Sequence, residues 1–186
     1  KGRLTTLGAT YVRFLYAVPF AALYVLALER WGAMELPRFH AIFLIYCVLG
    51  GVSQIAFTAL LMWLFSFRNF AVGTTYSKTE VVQIALLGFL ILGDTLSAWA
   101  AMAIVIAFAG VVLLSMGQTR TGFGSLLATL TERPTLIGLA CGAFLGASVV
   151  FYRGATLSLD YDGPVMAAAY TLAVSVVIQT VLMGLY

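Results

Sequence analysis

Charge is what this chain has least of: Asp, Glu, Lys and Arg make up 9% of its 186 residues, against roughly a quarter in a soluble domain. A folded surface must be solvated by something, and only lipid can replace polar groups on this scale. Soluble enzymes, nucleic-acid binders and disulfide scaffolds are thereby excluded. The chain has one histidine and two cysteines, Cys47 and Cys141. No set of His, Cys or carboxylate ligands converges from them, so no metal and no cofactor is expected. Both cysteines fall inside apolar runs and read as small buried hydrophobes. The sequence pI is ≈ 9.0 with a net charge of +3. That charge is spread over loop ends, without a basic patch to meet a phosphate backbone, so no nucleic-acid partner is expected. Sustained period-two alternation is also missing, which argues against a β-barrel.

What is present is apolar sequence: 62% of the residues are hydrophobic and the mean hydropathy is +1.04. A bilayer core of about 30 Å needs about 20 apolar residues of helix. Six runs meet that need: residues 7–28, 40–66, 70–92, 96–116, 135–152 and 165–186. Each is apolar all round, which separates a spanning helix from one lying on the membrane surface. The expected fold is an all-α integral membrane protein, an antiparallel helix bundle in direct contact with the lipid bilayer. Residues 67–69 and 93–95 are turns so short that the helices they join must be antiparallel neighbours. Trp31, Trp63 and Trp99 lie near span ends, where an amphipathic ring prefers the headgroup level. The chain opens without methionine and stops inside an apolar run, so a fragment is expected, and no signal peptide is visible.

A charge at the bilayer centre costs about 2.5 to 3.5 kcal/mol on insertion scales and is a functional hypothesis by default. Arg13, Lys78 and Glu80 are such residues. At about 1.5 Å of rise per residue they lie roughly 9, 12 and 15 Å inside their spans, in the same half of the bilayer. The two basic side chains have stems long enough to snorkel to the headgroups. Glu80 is too short for that and must be protonated, paired or open to an aqueous cavity. Residues two apart face different sides of a helix, so Arg13 is the better partner for Glu80 and Lys78 the poorer one. Gln54 reaches a similar level. Tyr76, Glu80 and Gln83 follow at i, i+4 and i+7 as one polar stripe, whereas the span 96–116 is apolar and should face lipid or packing. Pro19 is expected to kink the first span. Gly138, Gly142 and Gly146 form a small-residue stripe, read as helix packing within the chain and, secondarily, as a homodimer face. No Ser–His or paired-Asp constellation lies inside the spans, so the chain is not expected to be an enzyme.

The string Asn69-Phe70-Ala71-Val72-Gly73-Thr74-Thr75-Tyr76-Ser77-Lys78-Thr79-Glu80 is followed by Leu92-Gly93-Asp94 and then by Ala107-Phe108-Ala109-Gly110-Val111-Val112-Leu113-Leu114-Ser115. Together they resemble helices four and five of the drug/metabolite transporter superfamily, EamA-like branch. Ala9-Thr10-Tyr11-Val12-Arg13-Phe14-Leu15-Tyr16 is similar to its second helix. The resemblance implies a 5+5 inverted-repeat transporter fold with this chain as helices two to seven of ten. Residues 1–116 would then be the rest of the first half, 117–134 the linker, and 135–186 the start of the second half. An odd number of helices per half inverts the second half, the design behind alternating access. Counting Lys and Arg over the loops gives five against three and would put the linker in the cytoplasm. The family orientation puts it outside, and the margin of the count is small enough to yield to it.

The resemblance further implies a multi-pass inner-membrane secondary transporter that exports or exchanges small metabolites. Two basic groups and one acid within the spans suggest an anion or zwitterion as substrate, bound near the midplane among Arg13, Gln54, Tyr76, Lys78 and Gln83. Glu80 would couple transport to protons, because a desolvated carboxyl can exchange its proton when the cavity opens. Two other classes are a membrane scaffold or assembly subunit built on the glycine stripe, and an intramembrane enzyme whose catalytic residues lie in missing segments.

Overall fold

The computed structural model describes residues 6–38, 40–68, 70–95, 97–119 and 132–185. Most of the expected linker 117–134 lies outside them, as do Lys1, Arg3 and Arg120 of the loop-charge count. Among the described residues the chain forms helices and no strand. They are α1 (Thr6–Gly32), α2 (Ala41–Leu64), α3 (Phe70–Ser77), α4 (Glu80–Leu87) with a wider π-type turn over Gly88–Leu92, α5 (Ala98–Thr119), α6 (Arg133–Ser158) and α7 (Pro164–Gly184). Five stretches are long and apolar enough to cross a membrane: Thr10–Gly32, Ala41–Leu64, Gly73–Leu92, Arg133–Ser158 and Pro164–Gly184. The sixth expected span coincides with α5, whose apolar stretch Ala98–Leu113 is shorter. Large apolar side chains face outward, Phe20 at 71% and Ile106 at 66% exposure. In water such a surface would aggregate; against acyl chains it is at home.

The helix limits follow from local chemistry. Gly93 takes φ 70 and ends the π-type turn, a left-handed position that glycine occupies without strain. Gly163 precedes Pro164, whose missing N–H is not needed at the first position of α7. Hydroxyls inside the apolar helices bond to their own backbone: Thr171 Oγ1 donates to the Ala167 carbonyl and Thr180 Oγ1 to that of Val176, each at 2.8 Å. Pro19 lies inside α1, which continues past it.

Three expected boundaries are corrected. Glu29, Arg30 and Trp31 belong to the last turn of α1, not to a connection. Tyr152 and Arg153 lie within α6, which runs on to Ser158, whereas a span end was expected at Tyr152. A charged residue does not stop a helix; the next breakers are at Asp160 to Pro164, and arginine's long stem carries its head away from the backbone. The span 70–92 is not one helix, because α3 ends at Ser77 and α4 begins at Glu80. At the break, Ser77 Oγ donates to the Thr74 carbonyl at 2.8 Å and Thr79 Oγ1 to that of Tyr76 at 2.7 Å. The backbone tightens to i→i+3 bonds, Lys78 N to Thr75 O and Thr79 N to Tyr76 O, both 3.1 Å.

The chain divides into two compact units, Lys1–Ile55 with Phe151–Tyr186, and Ala56–Val150. In the first, α1 and α7 pack antiparallel. The Tyr11 ring lies by Gly184 at one end, and Val25 packs with Met166 and Ala169 towards the other. Phe43 and Cys47 of α2 join Ala155, Leu159 and Ala167 in a buried cluster. In the second unit Leu64, Ile137 and Cys141 form the core, and α5 packs on α3 and α4. Here the glycine stripe of α6 meets the backbone of α3 and α4. A Cβ at Gly138 would collide with the Gly73 carbonyl, one at Gly142 would lie 2.9 Å from the Ser77 carbonyl, and one at Gly146 3.3 Å from the Ile84 nitrogen. Apolar helices gain no hydrophobic drive against each other in lipid, so close backbone packing of this kind carries their association.

Candidate functional site

The first unit contains a half-open cleft of ≈ 420 Å³ whose lining includes Arg13, Phe14, Gln54, Tyr152, Arg153, Thr156, Thr171, Ser175 and Gln179. Its wall is a closed ring of hydrogen bonds among three helices. Gln179 Nε2 of α7 donates to Gln54 Oε1 of α2 and to Tyr152 Oη of α6, both at 2.8 Å. Tyr152 Oη donates in turn to Gln54 Oε1 at 2.9 Å. Both hydrogens of the Gln179 amide and the phenolic hydrogen are thus used within the ring. The Gly50-Gly51 pair makes room for it. A Cβ at Gly50 would lie 2.6 Å from Tyr152 Cε1, and one at Gly51 3.3 Å from Gln179 Cγ. Two bare positions on α2, one turn before Gln54, let the partner side chains reach its amide.

Next to the ring, Thr156 Oγ1 shares its hydrogen between the Tyr152 carbonyl at 2.9 Å and Thr171 Oγ1 at 3.3 Å. Ser175 is 3% exposed, and its Oγ has no hydrogen-bond partner among the described residues. It lies beside the Cys47 thiol and the Tyr152 hydroxyl. An unmet hydroxyl in a protein interior costs about 1 to 3 kcal/mol. The two charged residues of the lining, Arg13 and Arg153, are both basic. The Arg13 guanidinium carbon is 5.9 Å from the Phe14 ring centroid.

Of the residues expected from sequence, the cavity brings together Arg13 and Gln54. Tyr76, Lys78, Glu80 and Gln83 belong to the second unit and do not line it. Tyr76 is buried at 7%, just before the helix break. Lys78 Nζ stands 4.0 Å from Glu80 Oε1, the outer limit of an ion pair, with the Lys78 side chain largely exposed. Glu80 Oε2 is buried without a hydrogen-bond partner among the described residues, as is Gln83 Oε1. The orientation of the Gln83 amide is forced, since its Nε2 donates to Thr79 Oγ1 at 2.9 Å and to the Leu139 carbonyl at 3.4 Å, and a carbonyl can only accept.

Tyr152, Arg153, Ser175 and Gln179 were not anticipated. Gln179 is the one amide in the last span, and an intramembrane amide is a signal for an interhelical bond. Arg153 was hidden by the misplaced end of α6. Among the described residues no group of three or more His, Cys, Asp or Glu side chains is placed to hold a metal. Comparison of the chain with protein-family models, with curated proteins and with solved structures gives no match.

Proposed function

We propose that this chain is part of a secondary transporter of the inner membrane, one that exports or exchanges small metabolites by alternating access. The observation that carries the reading is the cleft in the first unit, a mostly apolar recess into which a hydrogen-bonded cluster of Gln54, Tyr152 and Gln179 is set, with Arg13 and Arg153 at its lining. Groups of that kind are costly in a membrane and mark solute paths. Two further features support it. In the EamA-like mapping α1 and α7 are equivalent helices of the two halves, and their antiparallel packing suits a two-fold axis in the membrane plane. The break between α3 and α4 falls on the polar string Ser77 to Glu80, and interrupted helices recur at transporter sites. The scaffold reading draws nothing from the glycine stripe, which α3 and α4 already cover.

The test is uptake by vesicles containing the full-length protein, against a panel of labelled amino acids, nucleotides and organic acids. Saturable movement of one class, lost in Gln54→Leu, is the expected result; no movement of any class removes the reading.

Proton coupling is part of the proposal and falls to Glu80. A hydrogen on Glu80 Oε2 would supply the donor that Gln83 Oε1 lacks, one turn along the same helix face. Among the described residues the charged group placed beside it is Lys78, with Nζ 4.0 Å from Glu80 Oε1. Glu80→Gln is expected to abolish the pH dependence of uptake while leaving substrate binding intact; an unchanged pH profile would remove the role.

A further inference from the structure

We infer that the first-unit cleft takes an uncharged, largely apolar molecule with one hydrogen-bonding oxygen, and that the Ser175 hydroxyl donates to that oxygen. This rests on the transporter reading and gives its substrate a class other than the charged one the sequence suggests. The volume of ≈ 420 Å³ lies within the range of about 300–1,000 Å³ typical of small-molecule sites. The charged and the buried parts of the lining are separate. Arg13 and Arg153 are exposed side chains, as are Ala168 and Leu172. Phe14, Thr171, Ser175, Val176 and Gln179 are buried, and none of them carries a charge. A ligand seated on the buried part meets apolar surface and neutral dipoles, against which an ion would shed its water at a high cost.

The hydrogen-bond inventory sets the polar end of the ligand. Of the three polar side chains in the buried part, two have spent their hydrogens. Thr171 Oγ1 donates to the Ala167 carbonyl, and Gln179 Nε2 donates to Gln54 Oε1 and Tyr152 Oη. Ser175 differs. Thr156 and Thr180 on the same two helices each give their hydroxyl hydrogen to the carbonyl four residues back, whereas Ser175 Oγ makes no hydrogen bond among the described residues at 3% exposure. A buried hydroxyl left unmet is costly, and a ligand oxygen that accepts from it removes the cost. One free donor on an apolar floor calls for one acceptor on an apolar body.

The experiment uses four compounds with a phenylpropyl body and different heads: 3-phenylpropan-1-ol, its hydrocarbon counterpart butylbenzene, 3-phenylpropionate and 3-phenylpropylamine. Full-length protein is held in lipid nanodiscs, and binding of the labelled alcohol is read after subtracting its partition into empty nanodiscs. The other three compounds compete against it. The alcohol is expected to bind saturably, about fivefold or more tightly than the hydrocarbon, the effect of one neutral hydrogen bond, and more tightly than either ion. Ser175→Ala should bring the alcohol down to the level of the hydrocarbon and leave the hydrocarbon unchanged. The comparison on unaltered protein stands even where the variant does not fold. Hydrocarbon binding equal to that of the alcohol, tighter binding of the carboxylate or the amine, or no saturable binding of the alcohol overturns the assignment. Vesicle uptake of an ionic class would then show that the transporter reading survives it. Saturable binding of the alcohol without vesicle uptake of any class removes the transporter reading and upholds the cleft assignment.

Discussion

At the scale of single residues, the ring of Gln54, Tyr152 and Gln179 decides more than any charge does. Replacing Gln179 with leucine keeps the volume but removes two donated bonds. Interhelical hydrogen bonds in membranes contribute about 0.6 kcal/mol on average and up to about 1.7. Gln179→Leu is therefore expected to lower the denaturation midpoint modestly, by about 1 to 2 kcal/mol of stability, and to weaken ligand binding at the cavity. A variant as stable as the parent would show that the ring is not formed. Gly50→Ala acts on the same ring from the opposite side, since its methyl group would meet the Tyr152 ring at 2.6 Å. The ring must tilt away and lose its reach to Gln54, at a cost typical of overpacking, about 1 to 3 kcal/mol.

At the scale of elements, the contact of α6 with α3 and α4 is a graded backbone approach. Alanine at Gly138 would strike the Gly73 carbonyl, at Gly142 the Ser77 carbonyl at 2.9 Å, and at Gly146 the Ile84 backbone at 3.3 Å. Backbone cannot swing aside as a side chain does. The order of destabilisation is expected to be Gly138→Ala, then Gly142→Ala, then Gly146→Ala, read from unfolding midpoints in detergent. Equal effects at the three sites, or a change in oligomeric mass with stability unchanged, would return the stripe to the homodimer reading.

For the whole molecule the open quantity is orientation, which the loop charges and the family resemblance assign oppositely. A cysteine placed at Ser125 in the linker separates them. Cys47 and Cys141 are both 0% exposed and should stay silent towards a membrane-impermeant maleimide. Labelling of Ser125→Cys in intact cells is expected if the linker is outside the cytoplasm. Labelling that requires lysis would reverse the orientation and favour the five-to-three charge count.

Composition and run lengths pointed to apolar helices that could span a membrane, and five such helices are present, with ends up to six residues from those expected and one span broken in two. The physical reason is that a bilayer imposes one constraint, apolar length, on every span, and that constraint is written locally in the sequence. Arg13 and Gln54 were legible for the same reason, as polar residues in the wrong solvent. The partners of Gln54 were not, because Tyr152 and Gln179 lie 98 and 125 residues from it and nothing local couples such positions. The helix break at Lys78 and the passage of α6 beyond Arg153 also escaped, since each depends on which carbonyls and which space neighbouring side chains can reach. Only tertiary packing brings distant polar groups to one cavity, and it did so around α2, α6 and α7 rather than along the polar stripe of the third span.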